Sequence, residues 1–249
     1  MAGTAVRGRL NWQLGTVFEL VDETAHARSI ALDLPDWPGH LAGQHVDVRL
    51  TAEDGYQAQR SYSIASAPGD DHLVLTIERI DDGEVSPYLA DELRAGDQLE
   101  LRGPIGGYFV WRPTGDTPVQ MFAGGSGVVP FRAMLRDRAA SRSTAPFRLL
   151  YSARSLGDVL YHDELARCAE SDGVDVRYTL TREWPEQWDG YQGRIDRALI
   201  AEVAWPVEDR PQVFVCGPNG FVEAVGQAMV ELGHDQGRIK TERFGPSGG

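Results

Sequence analysis

A glycine-rich turn in the second half of the chain has the composition of a phosphate-binding loop. Gly124-Gly125-Ser126-Gly127 follows the apolar stretch 119–124 and precedes a predicted helix at 127–140. Glycines at such a turn let backbone N–H groups approach a phosphate, and the start of a helix adds partial positive charge. The spacing is not GxGxxG, so a plain strand-to-helix turn is an equal alternative for the motif alone. Its position after the first strand of an α/β unit favours a nucleotide phosphate.

A second strand end carries a cysteine. Cys216-Gly217-Pro218 closes the apolar stretch 212–217. A cysteine in such a strand is more often a small core residue than a chemical one. In a parallel sheet, however, this strand end and the glycine-rich turn lie at the same edge, which favours a role for Cys216 near a bound nucleotide.

The first half contains a strand that is dense in hydrogen-bonding side chains, from Arg60 to Ser66. Arginine can bind a phosphate through two N–H groups, tyrosine offers a ring face, and serine can bond a ring nitrogen. An exposed strand face is the alternative. Further along, Gly83-Glu84-Val85-Ser86 opens a predicted short helix at 86–94, capped by Ser86. Free N–H groups at that helix start suit a second phosphate contact.

Strands with short turns are predicted to position these first-half residues. Apolar residues alternate or recur at short spacing at 14–21, 28–34, 44–50, 72–80 and 97–103. Pro-Gly and Asp-Gly pairs separate the stretches. About six strands at this spacing predict a closed antiparallel β-barrel.

The second half alternates strands with helices. Predicted strands lie at 119–124, 147–153, 174–180 and 212–217, and predicted helices at 127–140, 161–170, 194–203 and 219–232. This alternation predicts a doubly wound parallel sheet with helices on both faces. We therefore expect two domains, residues 1–113 and 117–249, joined near Pro113.

Composition excludes several classes of protein. The net charge of −13 argues against nucleic-acid binding. Two cysteines cannot ligate a four-thiolate iron–sulfur centre, and the six histidines lack metal-ligand spacing, so we predict no metal site. Redox chemistry must then rest on an organic cofactor. No stretch reaches the roughly 20 apolar residues of a membrane span, and the first twelve residues lack a secretory pattern, so a cytoplasmic protein is expected.

Taken together, these segments resemble the ferredoxin–NADP reductase superfamily over nearly the whole chain. Arg60, Tyr62 and Ser63 match its flavin-binding Arg-x-Tyr-Ser segment. Gly83 and Ser86 match the Gly-x-x-Ser signature that cradles the flavin pyrophosphate in members that use FAD. The Gly-Gly-Ser-Gly-x-x-Pro turn is similar to the family's nicotinamide-nucleotide pyrophosphate loop, and Cys216-Gly217-Pro218 to its nicotinamide-proximal motif.

The end of the chain also resembles the family. Glu242-Arg243-Phe244 is similar to a Glu-x-aromatic ending, in which the ring covers the flavin and the carboxylate lies near the reacting atoms. The chain departs from that pattern because it continues for five residues past Phe244. The iron–sulfur and haem domains of some family members have no counterpart in this sequence.

The resemblance implies a set of site residues. Those expected around the reacting atoms are Ser63, Cys216 and Glu242. Those expected to bind FAD are Arg60, Tyr62, Ser63, Glu78, Gly83, Val85, Ser86 and Phe244. Those expected to bind the nicotinamide nucleotide are Gly124, Gly125, Ser126, Gly127, Thr181, Arg182, Tyr191, Arg194, Gly217 and Pro218.

The function implied is electron transfer from NAD(P)H through FAD to a separate acceptor, such as a ferredoxin, a flavodoxin or an oxygenase component. Reduction of free flavin or ferric complexes is one alternative, and a non-catalytic nucleotide-binding module is another. Thr181-Arg182 and Tyr191 favour NADPH, since arginine suits its 2′-phosphate, although Glu183 adjoins and NADH-using members also carry such an arginine. The acceptor, the direction of electron flow and the oligomeric state stay open.

Overall fold

The first sheet is an antiparallel barrel. A computed structural model describes residues 10–244. The strands are β1 (Trp12–Thr24), β2 (Ala27–Asp33), β3 (His45–Thr51), β4 (Gln57–Ser63), β5 (Leu73–Glu78) and β6 (Gln98–Ile105). They pair in the order β4-β3-β6-β1-β2-β5. An antiparallel bridge between Ile64 and Leu75 joins the two outer strands and closes the barrel.

Alternate strand residues fill the barrel, as the period of two requires. Ile30, Leu32, Val46 and Val48 are fully buried there. A short π-helix, Tyr88–Glu92, supplies Leu89 to the same core. The barrel prediction is thereby confirmed.

The predicted cap of this short helix is wrong. Pro87 precedes the π-helix, and no side chain caps it. The Ser86 hydroxyl instead accepts a hydrogen bond from the Ile80 N–H at 3.1 Å. Ser86 therefore closes the turn between Ile80 and the helix, and its hydroxyl is not used to cap the helix.

The second sheet is parallel. Its strands are β7 (Val119–Gly124), β8 (Phe147–Ala153), β9 (Asp175–Leu180), β10 (Tyr191–Gln192), β11 (Gln212–Pro218) and β12 (Ile239–Phe244). They pair in the order β10-β9-β8-β7-β11-β12. The helices are α1 (Val129–Ala140), α2 (His162–Ser171), α3 (Arg197–Val203) and α4 (Asn219–Glu231). A 3₁₀ turn, Gly125–Val128, connects β7 to α1.

Both faces of this sheet are covered, as predicted. Met121 packs with Phe131 of α1 on one face. Phe122, the next residue, packs with Ile200 of α3 and Val225 of α4 on the other. The doubly wound fold is confirmed. Strands β10 and β12 were not anticipated, since the first is two residues long and the second, IKTERF, is mostly polar.

Aromatic residues after β6 connect the two sheets. Phe109 meets Phe214 of β11 edge-on, with ring centroids 5.3 Å apart. Trp111 meets Phe147 of β8 in the same way at 5.1 Å. An ion pair between Arg136 of α1 and Asp70 of the β4–β5 loop adds a polar contact at 3.1 Å. These contacts hold the barrel and the segment that follows β6 against the parallel sheet and α1.

Within residues 10–244, no helix is long and apolar enough to cross a membrane.

Candidate active site

The glycine-rich turn packs directly against the end of β11. A Cβ atom added to Gly127 would collide with the Cys216 carbonyl oxygen, so only glycine allows this approach. Gly125 has a φ of 55° in the left-handed region, and an added Cβ there would lie 3.9 Å from the Glu78 carboxylate of β5. The turn therefore lies between β11 and the barrel, with Glu78 beside it.

Three predicted reactive side chains meet at this junction. The Ser63 hydroxyl of β4 donates a hydrogen bond to Glu242 Oε1 of β12 at 3.2 Å. Cys216 and Glu242 are register partners in β11 and β12. The sequence separates these residues widely, and the parallel pairing of β12 with β11 is what brings them together.

Burial sets the protonation of this cluster. It raises the pKa of Glu242 to about 7, against the opposing effect of the Ser63 hydrogen bond. Burial, followed by the nearby Glu242 charge, raises the pKa of the Cys216 thiol. Glu242 thus exchanges a proton near neutral pH, whereas Cys216 stays a neutral thiol.

Tyr62 lies on β4 and is partly buried against the barrel core. Burial raises its pKa to about 12, so the phenol is neutral. Arg60, two residues earlier on the same face, donates to Glu84 Oε2 at 2.6 Å. A planar neutral ring and a solvent-accessible guanidinium are thus presented side by side.

The turn at 83–86 is tight and carries unpaired donors. An added Cβ at Gly83 would lie 2.8 Å from Ser86 Oγ and 3.0 Å from the Ile80 carbonyl oxygen. Val85 is fully buried, yet its N–H and that of Glu84 donate no hydrogen bond within residues 10–244. Unpaired N–H groups just before a helix suit an anionic acceptor, so a phosphate from outside the chain fits here.

Thr181 and Arg182 lie at the carboxyl end of β9. The Thr181 N–H and hydroxyl both donate to the Ala153 carbonyl, at 2.9 and 3.2 Å. The Arg182 side chain is exposed. Register pairs Gln192 of β10 with Leu180, which places Arg194 at the same edge as Arg182.

The structure does not bring Tyr191 to this edge. Its hydroxyl donates to Glu202 of α3 at 2.7 Å and lies 3.5 Å from Arg177 of β9. Arg177 precedes Thr179, the register partner of Tyr191, so the hydroxyl points toward the amino ends of the strands.

Sequence reasoning missed Arg154. It directly follows β8, and its carbonyl accepts from the Arg182 N–H at 2.9 Å. Arg154, Arg182 and Arg194 are all exposed, and none forms an ion pair in the described part of the chain. The signal available in the sequence was an arginine immediately after the predicted strand at 147–153.

Phe244, at the end of β12, pairs in register with Pro218 and is partly buried.

Comparison with known proteins identifies the family of each half of the chain. Residues 19–110 match the family described as oxidoreductase FAD-binding domain, and residues 121–227 match oxidoreductase NAD-binding domain. Ferredoxin–NADP reductase B of Sorangium cellulosum is 36% identical over 226 residues, covering 87% of this chain and 91% of that protein. The chain belongs to the ferredoxin–NADP reductase superfamily.

Longer members of the superfamily match as well. The glycine betaine monooxygenase reductase subunit of Pseudomonas aeruginosa is 32% identical over 208 residues, or 82% of this chain. The chain spans only 56% of that relative's length. Among solved structures, the FAD/NAD-binding domain of a nitric oxide dioxygenase from Vibrio cholerae superposes with a TM-score of 0.84 at 28% identity. The match covers 94% of this chain and 99% of that one.

The residues present fit the two cofactors of this superfamily. Arg60 and the unpaired N–H groups of Glu84 and Val85 suit the diphosphate of FAD. Tyr62 offers a ring face for an isoalloxazine. The turn at 124–127 suits a nucleotide pyrophosphate, and the exposed arginines after β8, β9 and β10 suit an additional phosphate.

Proposed function

We propose that this chain is an FAD-dependent reductase that takes electrons from NAD(P)H and passes them to a separate redox protein. The observation that carries the proposal is the meeting of Ser63, Cys216 and Glu242. Ser63 belongs to the flavin-side strand β4, whereas Cys216 and Glu242 lie near the carboxyl ends of two strands beside the nucleotide turn. This position is where a flavin ring and a nicotinamide ring would face each other.

When bound, FAD accepts a hydride from the nicotinamide and releases its electrons singly. The chain contributes positioning, since hydride transfer needs the reacting atoms about 3–3.5 Å apart. The neutral Cys216 thiol fills space beside the turn without adding charge. Glu242 can hold or release a proton near pH 7, and the Ser63 hydroxyl orients its carboxyl group.

We propose NADPH as the preferred donor. Its 2′-phosphate adds a dianion that NADH lacks, and Arg154, Arg182 and Arg194 form an exposed basic edge in the described part of the chain. Arginine is permanently charged and binds phosphate through paired N–H groups. The Thr181 hydroxyl donates a hydrogen bond to the Ala153 carbonyl, and its oxygen can still accept a hydrogen bond.

The electron acceptor proposed is a ferredoxin, a flavodoxin or an oxygenase component. The names of two relatives, a monooxygenase reductase subunit and a ferredoxin–NADP reductase, support this class. A reaction that draws on NAD(P)H fits the cytoplasm, which we propose as its compartment. Turnover with NADPH and a ferredoxin, compared with excess free FMN as acceptor, tests the proposal. Faster turnover with free FMN than with any redox protein would assign a free-flavin reductase instead.

A further inference from the structure

The guanidinium of Arg60, on which the proposed diphosphate site depends, already forms an ion pair with the Glu84 carboxylate. Arg60 Nη2 donates to Glu84 Oε2 at 2.6 Å, while Arg60 Nη1 donates to the Gln59 carbonyl at 2.7 Å. The Tyr56 hydroxyl donates to the other oxygen, Glu84 Oε1, also at 2.7 Å. Hydrogen bonds from Tyr56 and then Arg60 lower the pKa of Glu84, so this carboxylate is charged at neutral pH.

Glu84 also belongs to the turn that would meet the diphosphate. It lies between Gly83 and Val85, and its own N–H is one of the two unpaired donors there. One residue therefore offers a donor through its backbone and a negative charge through its side chain. The carboxylate cancels the positive charge of Arg60 and repels an incoming phosphate.

The ion pair is accessible enough to be displaced. The side chains of Arg60 and Glu84 are 40% and 47% exposed. Ion pairs this exposed are weak. A diphosphate carries more charge than a carboxylate and binds arginine in a comparable geometry, so it can replace Glu84 on Arg60.

We propose that Glu84 competes with the FAD diphosphate for Arg60 and thereby sets the flavin affinity of this chain below what the site could reach. The proposal rests on the proposed function, because it assumes that FAD binds at Arg60. Glu84 then acts as a resident anion that weakens flavin binding without preventing it. An alternative role, in which Glu84 holds Arg60 in position for the phosphate, predicts the opposite change in affinity.

The test is the Kd for FAD of the purified full chain, measured by quenching of flavin fluorescence. We expect Glu84→Gln to lower the Kd about fivefold to tenfold, the size expected for one unit charge a few ångström away at an exposed site. High salt should shrink the difference, because exposed charges are screened. Circular dichroism and gel filtration check that the variant keeps its fold.

Asp82→Asn is the matched control. Asp82 lies two residues from Glu84 in the same loop, is exposed, and has no hydrogen bond or ion pair to its side chain within residues 10–244. This variant removes the same charge without touching Arg60. Its Kd should change by about twofold or less, since a more distant exposed charge is largely screened.

Arg60→Ala completes the test as a double-mutant cycle. If Glu84 competes for Arg60, the gain from Glu84→Gln shrinks when Arg60 is already absent. A Glu84→Gln variant that binds FAD no more tightly than the parent overturns the proposal while leaving the reductase function intact. Absence of saturable FAD binding by the parent and every variant overturns both.

Discussion

The Ser63 hydroxyl and the Glu242 carboxyl, 179 positions apart in the sequence, share a hydrogen bond of 3.2 Å across the junction of the two sheets. Ser63 ends β4 of the barrel, and Glu242 lies on β12 at the edge of the parallel sheet. The contact exists only when both domains are folded and docked. The hydrogen bond therefore depends on how the flavin-side residues of the barrel and the nucleotide-side residues of the parallel sheet are placed relative to each other.

The Ser63→Ala variant should raise the pKa of Glu242 above its value of about 7, because the hydroxyl donates to the charged form and stabilises it. We expect an upward move of about one pH unit or less, since a hydrogen bond contributes about 0.5–1.5 kcal/mol net. The pH profile of flavin reduction by stopped flow measures it. Ser63→Thr, which keeps the hydroxyl, is the control. If the midpoint of the pH profile is unchanged in Ser63→Ala, the Ser63 hydroxyl does not influence the pKa of Glu242.

The Glu242→Gln variant should change how stability depends on pH. Burial raises the pKa of Glu242 from 4.5 to about 7, so the stability that its proton contributes is present below pH 4.5 and is lost as pH rises through 7. Glutamine does not titrate, so the variant does not lose this stability as the pH rises. Relative to the parent, Glu242→Gln should gain on the order of 2 kcal/mol between pH 5 and pH 8, given about 1.4 kcal/mol per pKa unit. Thermal unfolding across this range measures the difference. A constant difference between the two proteins would contradict the raised pKa.

The Cys216→Ala variant should slow flavin reduction by NADPH about tenfold or more while changing nucleotide affinity little. The thiol lies where ring geometry matters, and misplacement of about 1 Å can cost a hundredfold in rate. Stopped-flow reduction and nucleotide titration measure the two effects separately. Cys168→Ala, on α2 and half-buried, is the matched control. An unchanged reduction rate in Cys216→Ala would make Cys216 a core thiol only.

The Arg182→Ala and Arg154→Ala variants should each weaken NADPH binding by about 1.5–3 kcal/mol, the range for hydrogen bonds to charged groups. Binding of NADH should change little, because it lacks the 2′-phosphate. Ratios of kcat/KM for the two donors measure the preference. Arg210→Ala is a control at a distance, since Arg210 precedes β11 at the opposite edge of the sheet. A parent protein with equal or better kcat/KM for NADH, or unaltered ratios in both variants, would make these arginines surface residues.

The sequence predicted the fold through local patterns. The alternation of apolar residues in the barrel strands and the β-α repeats after Pro113 can both be recognised within short stretches of sequence. Strands β7 and β8 were predicted with their observed bounds. The cap at Ser86 failed because the side chain's partner, the Ile80 N–H, is set by the turn and not by a helix pattern.

Long-range pairings in the site were beyond these local patterns. Nothing near Arg60 in the sequence indicates that Glu84, in the turn at 83–86, would bind its guanidinium. The short strand β10 directs the Tyr191 hydroxyl to Glu202, and a two-residue polar strand has no periodicity to detect. Arg154 follows a correctly predicted strand, but its proximity to Arg182 depends on the strand order.

The visible spectrum of the purified full chain, titrated anaerobically with NADPH and with NADH, tests the central claim most directly. We predict a yellow protein, or one that becomes yellow and stays so after incubation with FAD and gel filtration. Chromatography of the released cofactor should identify FAD, and NADPH should bleach the flavin absorbance at lower concentration than NADH. A protein that stays colourless after FAD is added, that releases FMN alone, or whose flavin neither donor bleaches would contradict the assignment as an FAD-dependent NAD(P)H reductase.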